Sequence, residues 1–445
     1  MVLKEYIKYK YQSKILQRVV KGTSWNVVGT VIFQVSSLMI SIILANILGK
    51  NDFGEISFIR NTYIMLGQFA CLGIDVAVTK YISEWSTTNR VYIQKLLRIS
   101  RRSVVISGLI TTTVLIIFSN DIVERWFNHN TNTNSLLCGV GLIIVNALYF
   151  YQNGVLSGFH SFKEIAKIEV FRAVLIILMP LVGAYWYGVN GALLGYIIMG
   201  GCSYFITEKI IVEKIKKYKT KPAKIDKNIF LVLVKFSLPV FTSGLFVISA
   251  IWGCNVLLIN NENKFGEIGV FNIALTWKNL ILFIPLLLSK VFFPILSELY
   301  AKKDYVNFNK LTLYFKVAIV LISIGISIFM TLCSELILSL YGNEFVGHGT
   351  VLNYIAYATS FQALAIVFAQ SILSTGNTKI AFYLNTIWAV SVIIIFALLP
   401  KSALGLSQAY FYSYLMHWLI SLFYYLYFRY TVYTNQIDRE LNLNP

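Results

Sequence analysis

The chain alternates between long apolar runs and short polar breaks, and the runs are of membrane-crossing length. A hydrocarbon core about 30 Å thick needs about 20 apolar residues in a helix. Such runs recur near 24–48, 57–83, 99–118, 135–157, 165–186 and 190–212, and again near 229–259, 269–297, 311–333, 350–373, 380–399 and 403–428. The alternating pattern of a barrel strand is missing, and a helix satisfies its own backbone hydrogen bonds in lipid, so the expected fold is an all-α integral membrane protein. Twelve transmembrane helices as two six-helix bundles follow: residues 1–212, a basic linker at 213–228 centred on Pro222, and residues 229–445. In the third run Arg101 and Arg102 shorten the apolar part and must snorkel to the interface.

The two halves echo each other. A polar turn, Lys50-Asn51-Asp52-Phe53-Gly54-Glu55-Ile56, follows the first run, and Asn263-Lys264-Phe265-Gly266-Glu267-Ile268-Gly269 follows the seventh. Run four ends Gln152-Asn153-Gly154-Val155-Leu156-Ser157-Gly158, and run ten ends Gln370-Ser371-Ile372-Leu373-Ser374-Thr375-Gly376. Each half holds an even number of runs, so the halves face the same way and are related by an axis along the membrane normal.

Composition supports the membrane reading: 57% hydrophobic and 13% charged residues leave more apolar surface than a soluble fold could cover. The formal charge of +18 would suit nucleic acid, but its placement argues against that partner. Lys and Arg gather in alternate breaks: Lys4 to Lys21, Arg90 to Arg102, Lys163 and Lys167, Lys209 to Lys227, Lys302 to Lys316, Lys379, and Arg429 with Arg439. The other side holds only Lys50, Arg125, Lys264 and Lys401, which places both termini in the cytoplasm. The basic linker is read as a topogenic seam before an anionic-lipid contact. The first run carries no small-residue cleavage pattern and reads as an uncleaved span.

Ionisable residues inside the runs are candidate functional groups, because each costs several kcal/mol in hydrocarbon unless it finds a partner or a cavity. Arg172 lies near the middle of run five with Glu169 one turn before it, a spacing that fits a structural ion pair as well as a proton relay or substrate site. Lys278 and Lys290 on run eight, and Asp75 on run two, lie moderately deep; Arg60 and Lys80 are closer to the two interfaces, where snorkelling also accounts for them. Lys278 has no acidic neighbour at helical spacing and is assigned to a cavity. Basic groups outnumber Asp75 and Glu169, so a cavity lined by these runs is cationic and suits phosphate oxygens better than a drug cation. Amides and hydroxyls such as Asn26, Gln34, Asn146, Gln152, Asn153 and Thr242 could meet sugar hydroxyls or simply hold helices together. No single aromatic ring stands out as a sugar platform.

Enzyme signatures are missing from the sequence. His129, His160, His348 and His417 are scattered, and no glycine-rich phosphate loop occurs, so neither a metal nor a cofactor is expected. Cys71, Cys138, Cys202, Cys254 and Cys333 have no paired spacing and read as small buried residues.

The chain resembles the polysaccharide (O-antigen) repeat-unit flippases, in the superfamily that also holds the multidrug MATE exporters and the lipid II flippases. The resemblance rests on the basic N-terminus before Ser24-Trp25-Asn26, on Phe53-Gly54-Glu55-Ile56, and on Leu72-Gly73-Ile74-Asp75 leading to Lys80-Tyr81-Ile82-Ser83-Glu84. It implies two bundles around a central cavity, in a cytoplasmic (inner) membrane. Through that cavity an undecaprenyl-diphosphate-linked oligosaccharide passes from the cytoplasmic to the periplasmic leaflet by alternating access. It implies coupling to H+ or Na+, with Asp75 and Glu169 as candidate coupling groups, and a monomer working beside the polymerisation machinery among membrane lipids. Arg60, Arg172, Lys278 and Lys290 are the candidate substrate-binding residues. Two rivals remain at this point: a cation-coupled drug exporter, which needs an acidic cavity, and a membrane-embedded polymerase or ligase, which needs catalytic groups in a large outer loop.

Overall fold

The computed structural model describes residues 14–88, 90–126, 133–216, 227–259, 265–374 and 379–442. Among them there is no strand. The helices are α1 (Lys14–Cys71), α2 (Ile74–Thr88), α3 (Arg90–Ile117), α4 (Ser119–Trp126), α5 (Thr133–Gly139), α6 (Gly141–Gly158) and α7 (Phe162–Lys216). They continue as α8 (Lys227–Ile259), α9 (Gly266–Ala301), α10 (Tyr305–Ser339), a 3-10 turn at Asn343–Phe345, α11 (Gly349–Leu373), α12 (Lys379–Leu398) and α13 (Ala403–Asn442). The protein is an all-α membrane protein. Stretches within α1, α3, α9, α10 and α11, together with Thr133–Gly158, are long and apolar enough to cross a bilayer. The other expected crossings fall on α7, α8, α12 and α13, and on α2 with the end of α1. Many large apolar side chains are exposed, Leu332 and Leu398 by more than four-fifths, because the solvent they meet is acyl chain.

Two of the longest helices are each a pair of crossings joined at a break. In α1 the break is Gly49, with φ 76°. In α7 it is Tyr187-Gly188, where Gly188 takes φ 57°. A left-handed residue without a side-chain penalty turns the chain back in one step. The stretch from Lys50 to Ile56, expected as a polar turn, is therefore helical: the reversal is complete at Gly49, and Phe53-Gly54-Glu55-Ile56 lies at the start of the next arm. Its counterpart behaves alike, since Phe265 caps α9 and Gly266-Glu267-Ile268 opens it. Both glutamates lie against the start of another helix. Glu55 lies beside Ser135 of α5, and the Glu267 carboxylate accepts the Ala403 N–H of α13 at 2.6 Å. Glu335 does the same for α11, accepting from the N–H groups of Gly347 (2.9 Å) and Gly349 (3.0 Å). An anionic acceptor at a helix start satisfies orphan donors and complements the dipole.

Run two also departs from a simple span. Leu72 (φ 53°) and Gly73 (φ 69°) interrupt it, so Asp75 stands in the first turn of a new helix, α2. A Cβ on Gly73 would come within 2.7 Å of the Ser237 carbonyl of α8. Close approach to α8 thus requires glycine there.

By internal contacts the chain divides into two compact units, 1–245 and 246–445, with the division inside α8. Most of the linker, 217–226, lies outside the described residues, as do Asn263, Lys264, Thr375 and Gly376 of the echoes. In the first unit α6 is central, meeting α1, α2, α3 and α7. Gly154 and Gly158 let α2 approach it closely at Asp75 and Ile82, and Thr79 Oγ1 donates to the Gly154 carbonyl at 2.9 Å. Small residues at such contacts substitute for the hydrophobic drive that lipid cannot supply. In the second unit α11 is central, meeting α9, α10 and α13. The echo ending run four, and Gln370 to Leu373 of the one ending run ten, thus lie on the central helices of their units.

Candidate functional site

In the first unit, Arg60 from the second arm of α1 and Arg172 from the first arm of α7 line the same cavity, of about 230 Å³. The wall between them comes from α6 and from the second arm of α7. On α6, Leu142, Val145, Asn146, Tyr149 and Gln152 form one stripe at helical spacing. On α7, Tyr196, Gly200, Ser203, Tyr204 and Thr207 form another.

Arg172 is 8% exposed and held from three directions. Its guanidinium donates to both Glu169 carboxylate oxygens, at 3.0 and 3.3 Å, and lies over the rings of Tyr149 (3.8 Å to the centroid) and Phe33 (4.7 Å). The Tyr149 hydroxyl donates to the same carboxylate at 3.0 Å. The ion pair permitted by the sequence spacing therefore forms, and its arginine also faces the cavity. Arg172 Nε is buried with no partner among the described residues, so one donor is left over.

Arg60 is half-buried and lies 4.9 Å above the Tyr196 ring. It has no carboxylate partner among the described residues. With Glu169 offsetting Arg172, the pocket keeps the net positive charge of Arg60. At ~30 Å³ per water the cavity holds about eight waters, which matches a head-group fragment rather than a whole oligosaccharide.

The other candidates lie elsewhere. Asp75 does not line this cavity; its carboxylate faces the Cys71 thiol, with Sγ 3.9 Å from Oδ1. Lys80 is exposed and lies over Phe236 at 4.2 Å, as a snorkelling cation does. In the second unit Lys278 is buried, donates to the Tyr414 hydroxyl at 3.4 Å and sits 5.3 Å from the centroid of the Tyr410 ring. Trp388 closes this cage against both tyrosines. No carboxylate pairs with Lys278 among the described residues. The side chain of Lys290 lies outside the described residues. All five cysteines are free thiols.

Sequence reasoning missed Tyr149, Tyr196 and Phe33, which shape the pocket around both arginines. Gln152, a candidate for sugar hydroxyls, instead ties α6 to α7, donating to Glu208 Oε2 (3.1 Å) and to the Tyr204 carbonyl (3.2 Å).

Hairpin crossings, a central helix in each unit and a buried cationic pocket define a multi-span all-α membrane protein. The chain belongs to the polysaccharide biosynthesis protein family, whose model matches residues 19–300. It is 25% identical over 280 residues to the capsular polysaccharide biosynthesis protein CapF of Staphylococcus aureus, covering 59% of this chain and 68% of that one. Its fold is shared with the lipid II flippase MurJ in an inward closed conformation (TM-score 0.74, 17% identity, 89% of this chain and 86% of that one). An inward-facing multidrug resistance MATE family transporter of the MOP superfamily also shares it (TM-score 0.72, 13% identity, 91% and 99%).

Proposed function

We propose that this protein is a flippase for a lipid-linked oligosaccharide, carrying an undecaprenyl-diphosphate head group from the cytoplasmic to the periplasmic leaflet of the inner membrane by alternating access. The observation that carries this reading is the unbalanced charge of Arg60 in a pocket that Arg172 also lines, walled by hydroxyls, two amides and aromatic rings. Guanidinium groups bind phosphate oxygens through paired N–H donors, and ring faces with flanking hydroxyls suit sugars. Family membership supports the substrate class, and the fold shared with a lipid II flippase is compatible with it.

The physical task fits. Moving a diphosphate and sugars through hydrocarbon strips each polar group of water at several kcal/mol, and a polar cationic pocket removes part of that barrier while the prenyl tail stays in lipid. A drug-cation exporter is disfavoured because a lipophilic cation would meet Arg60. Asp75 and Glu169 are the proposed groups for coupling to H+ or Na+, and Lys278 is the proposed anion contact of the second unit.

The test is reconstitution into liposomes with a labelled lipid-diphosphate oligosaccharide, followed by its accessibility from each side. Protein-dependent exchange between leaflets supports the proposal. No exchange, or formation or cleavage of a glycosidic bond by the purified chain, overturns it.

A further inference from the structure

A second recess lies in the first unit, between the start of α3 and the end of α7, with a volume of about 590 Å³. We propose that it is a binding site for an anionic phospholipid, whose phosphodiester rests on Arg98, Arg101 and Arg102 and whose acyl chain runs past Val105 and Ile106.

Helical spacing explains the cluster. Positions 98, 101 and 102 are related by three and four residues and share a face of α3, which continues one turn further to Val105 and Ile106. All three arginines are exposed. Arg101 is fixed in place: its Nη1 donates to Glu208 Oε1 and its Nη2 to the Tyr204 hydroxyl, both at 2.7 Å. Glu208 is further engaged by Gln152, so the carboxylate of the recess is already shared between two donors. With Glu208 set against Arg101, the charge of Arg102 leaves the recess net positive.

The apolar wall distinguishes a lipid from a free anion. Ile106 is 56% and Val212 40% exposed, on opposite sides of the recess. A soluble phosphate would leave that wall unused, whereas a glycerophospholipid covers it with methylenes while its phosphate meets the arginines. These arginines lie on the Lys/Arg-rich side of the chain, and basic recesses between helices on that side suit anionic head groups. The inference concerns a resident lipid and stands whether or not the central pocket carries an oligosaccharide.

The experiment is native mass spectrometry of the full chain in detergent after incubation with phosphatidylglycerol, with phosphatidylcholine, or with phosphatidylglycerol plus excess inorganic phosphate. The expected result is phosphatidylglycerol retention about ten-fold above phosphatidylcholine, little changed by phosphate. It should fall to the phosphatidylcholine level in Arg98→Gln/Arg102→Gln, which spares the Arg101–Glu208 bridge. A Val105→Asp variant should weaken lipid retention as well. Equal retention of the two lipids, full displacement by inorganic phosphate, or an unchanged double variant would each overturn the proposal. If the double variant is not monodisperse, the wild-type comparison and Val105→Asp decide.

Discussion

The two units handle a buried cation in opposite ways. In the first, Arg172 is charge-paired with Glu169, sandwiched between Tyr149 and Phe33, and joined by Arg60 at a cavity. In the second, Lys278 sits in a cage of Tyr410, Tyr414 and Trp388 without a carboxylate among the described residues. The chemistry of the two ions accounts for the contrast. A planar guanidinium offers five donors and two faces, so it can serve a carboxylate, two rings and a ligand together. An ammonium is a compact point charge best held by ring faces and one hydroxyl. Units whose sequences echo each other therefore need not carry the same site.

The sharpest way to break this comparison is to remove Arg172. Arg172→Ala leaves Glu169 buried without its partner and should cost about 3–5 kcal/mol, read as a large fall in the unfolding temperature in detergent. Replacing both residues with Met should recover much of that loss; failure to recover would mean that the pair is more than a neutralised charge. Arg60→Ala is expected to do the reverse. Its loss removes a partly exposed cation–π contact, so stability should change by less than about 1 kcal/mol. Leaflet exchange of the lipid-diphosphate oligosaccharide should drop roughly ten- to a hundred-fold, and Arg60→Lys should restore part of it.

Lys278→Met sharpens the contrast from the other side. Without a carboxylate, the desolvation cost of this cation is offset only by ring faces and one long hydrogen bond, so the substitution should leave stability unchanged or raise it by about 1 kcal/mol. A loss as large as that of Arg172→Ala would show that the two units treat their cations alike. The smallest expected effect lies outside the membrane. Burial pushes the Glu164 carboxyl up, but its own backbone N–H and Lys214, which donates at 3.2 Å, together hold it below the ordinary 4.5. A depressed carboxylate stabilises the fold above its unfolded value and loses that contribution as pH falls through the folded value. Acidification below pH 4.5 should lower the unfolding temperature slightly more in the wild type than in Glu164→Gln.

Much of the fold was legible because apolar runs and glycines are local signals. Gly49 and Gly188 fall between expected runs, and both turn out to be reversals. The break at Leu72-Gly73 was hidden, since it falls inside an apolar run and a left-handed leucine leaves no mark in a hydropathy pattern. In the site, Arg60 and Arg172 stood out as charges in apolar runs, yet their convergence depends on how α1 lies along α7. Tyr149 and Tyr196 were invisible for a different reason: at 15% aromatic content a single ring carries no contrast. The stripe running from Leu142 through Asn146 and Tyr149 to Gln152 was the signal that could have found the first of them.

The contact between Gly183 and Gly191, on either side of the Gly188 reversal, has a mechanical consequence. There the two arms of α7 touch backbone to backbone, and they carry Arg172 on one side and Tyr196, Tyr204 and Thr207 on the other. The arms are pinned together near the tip, so any splaying between them is confined to the far ends, toward Phe162 and Lys216. A side chain at either glycine would overlap the facing backbone and pry the pinned end apart.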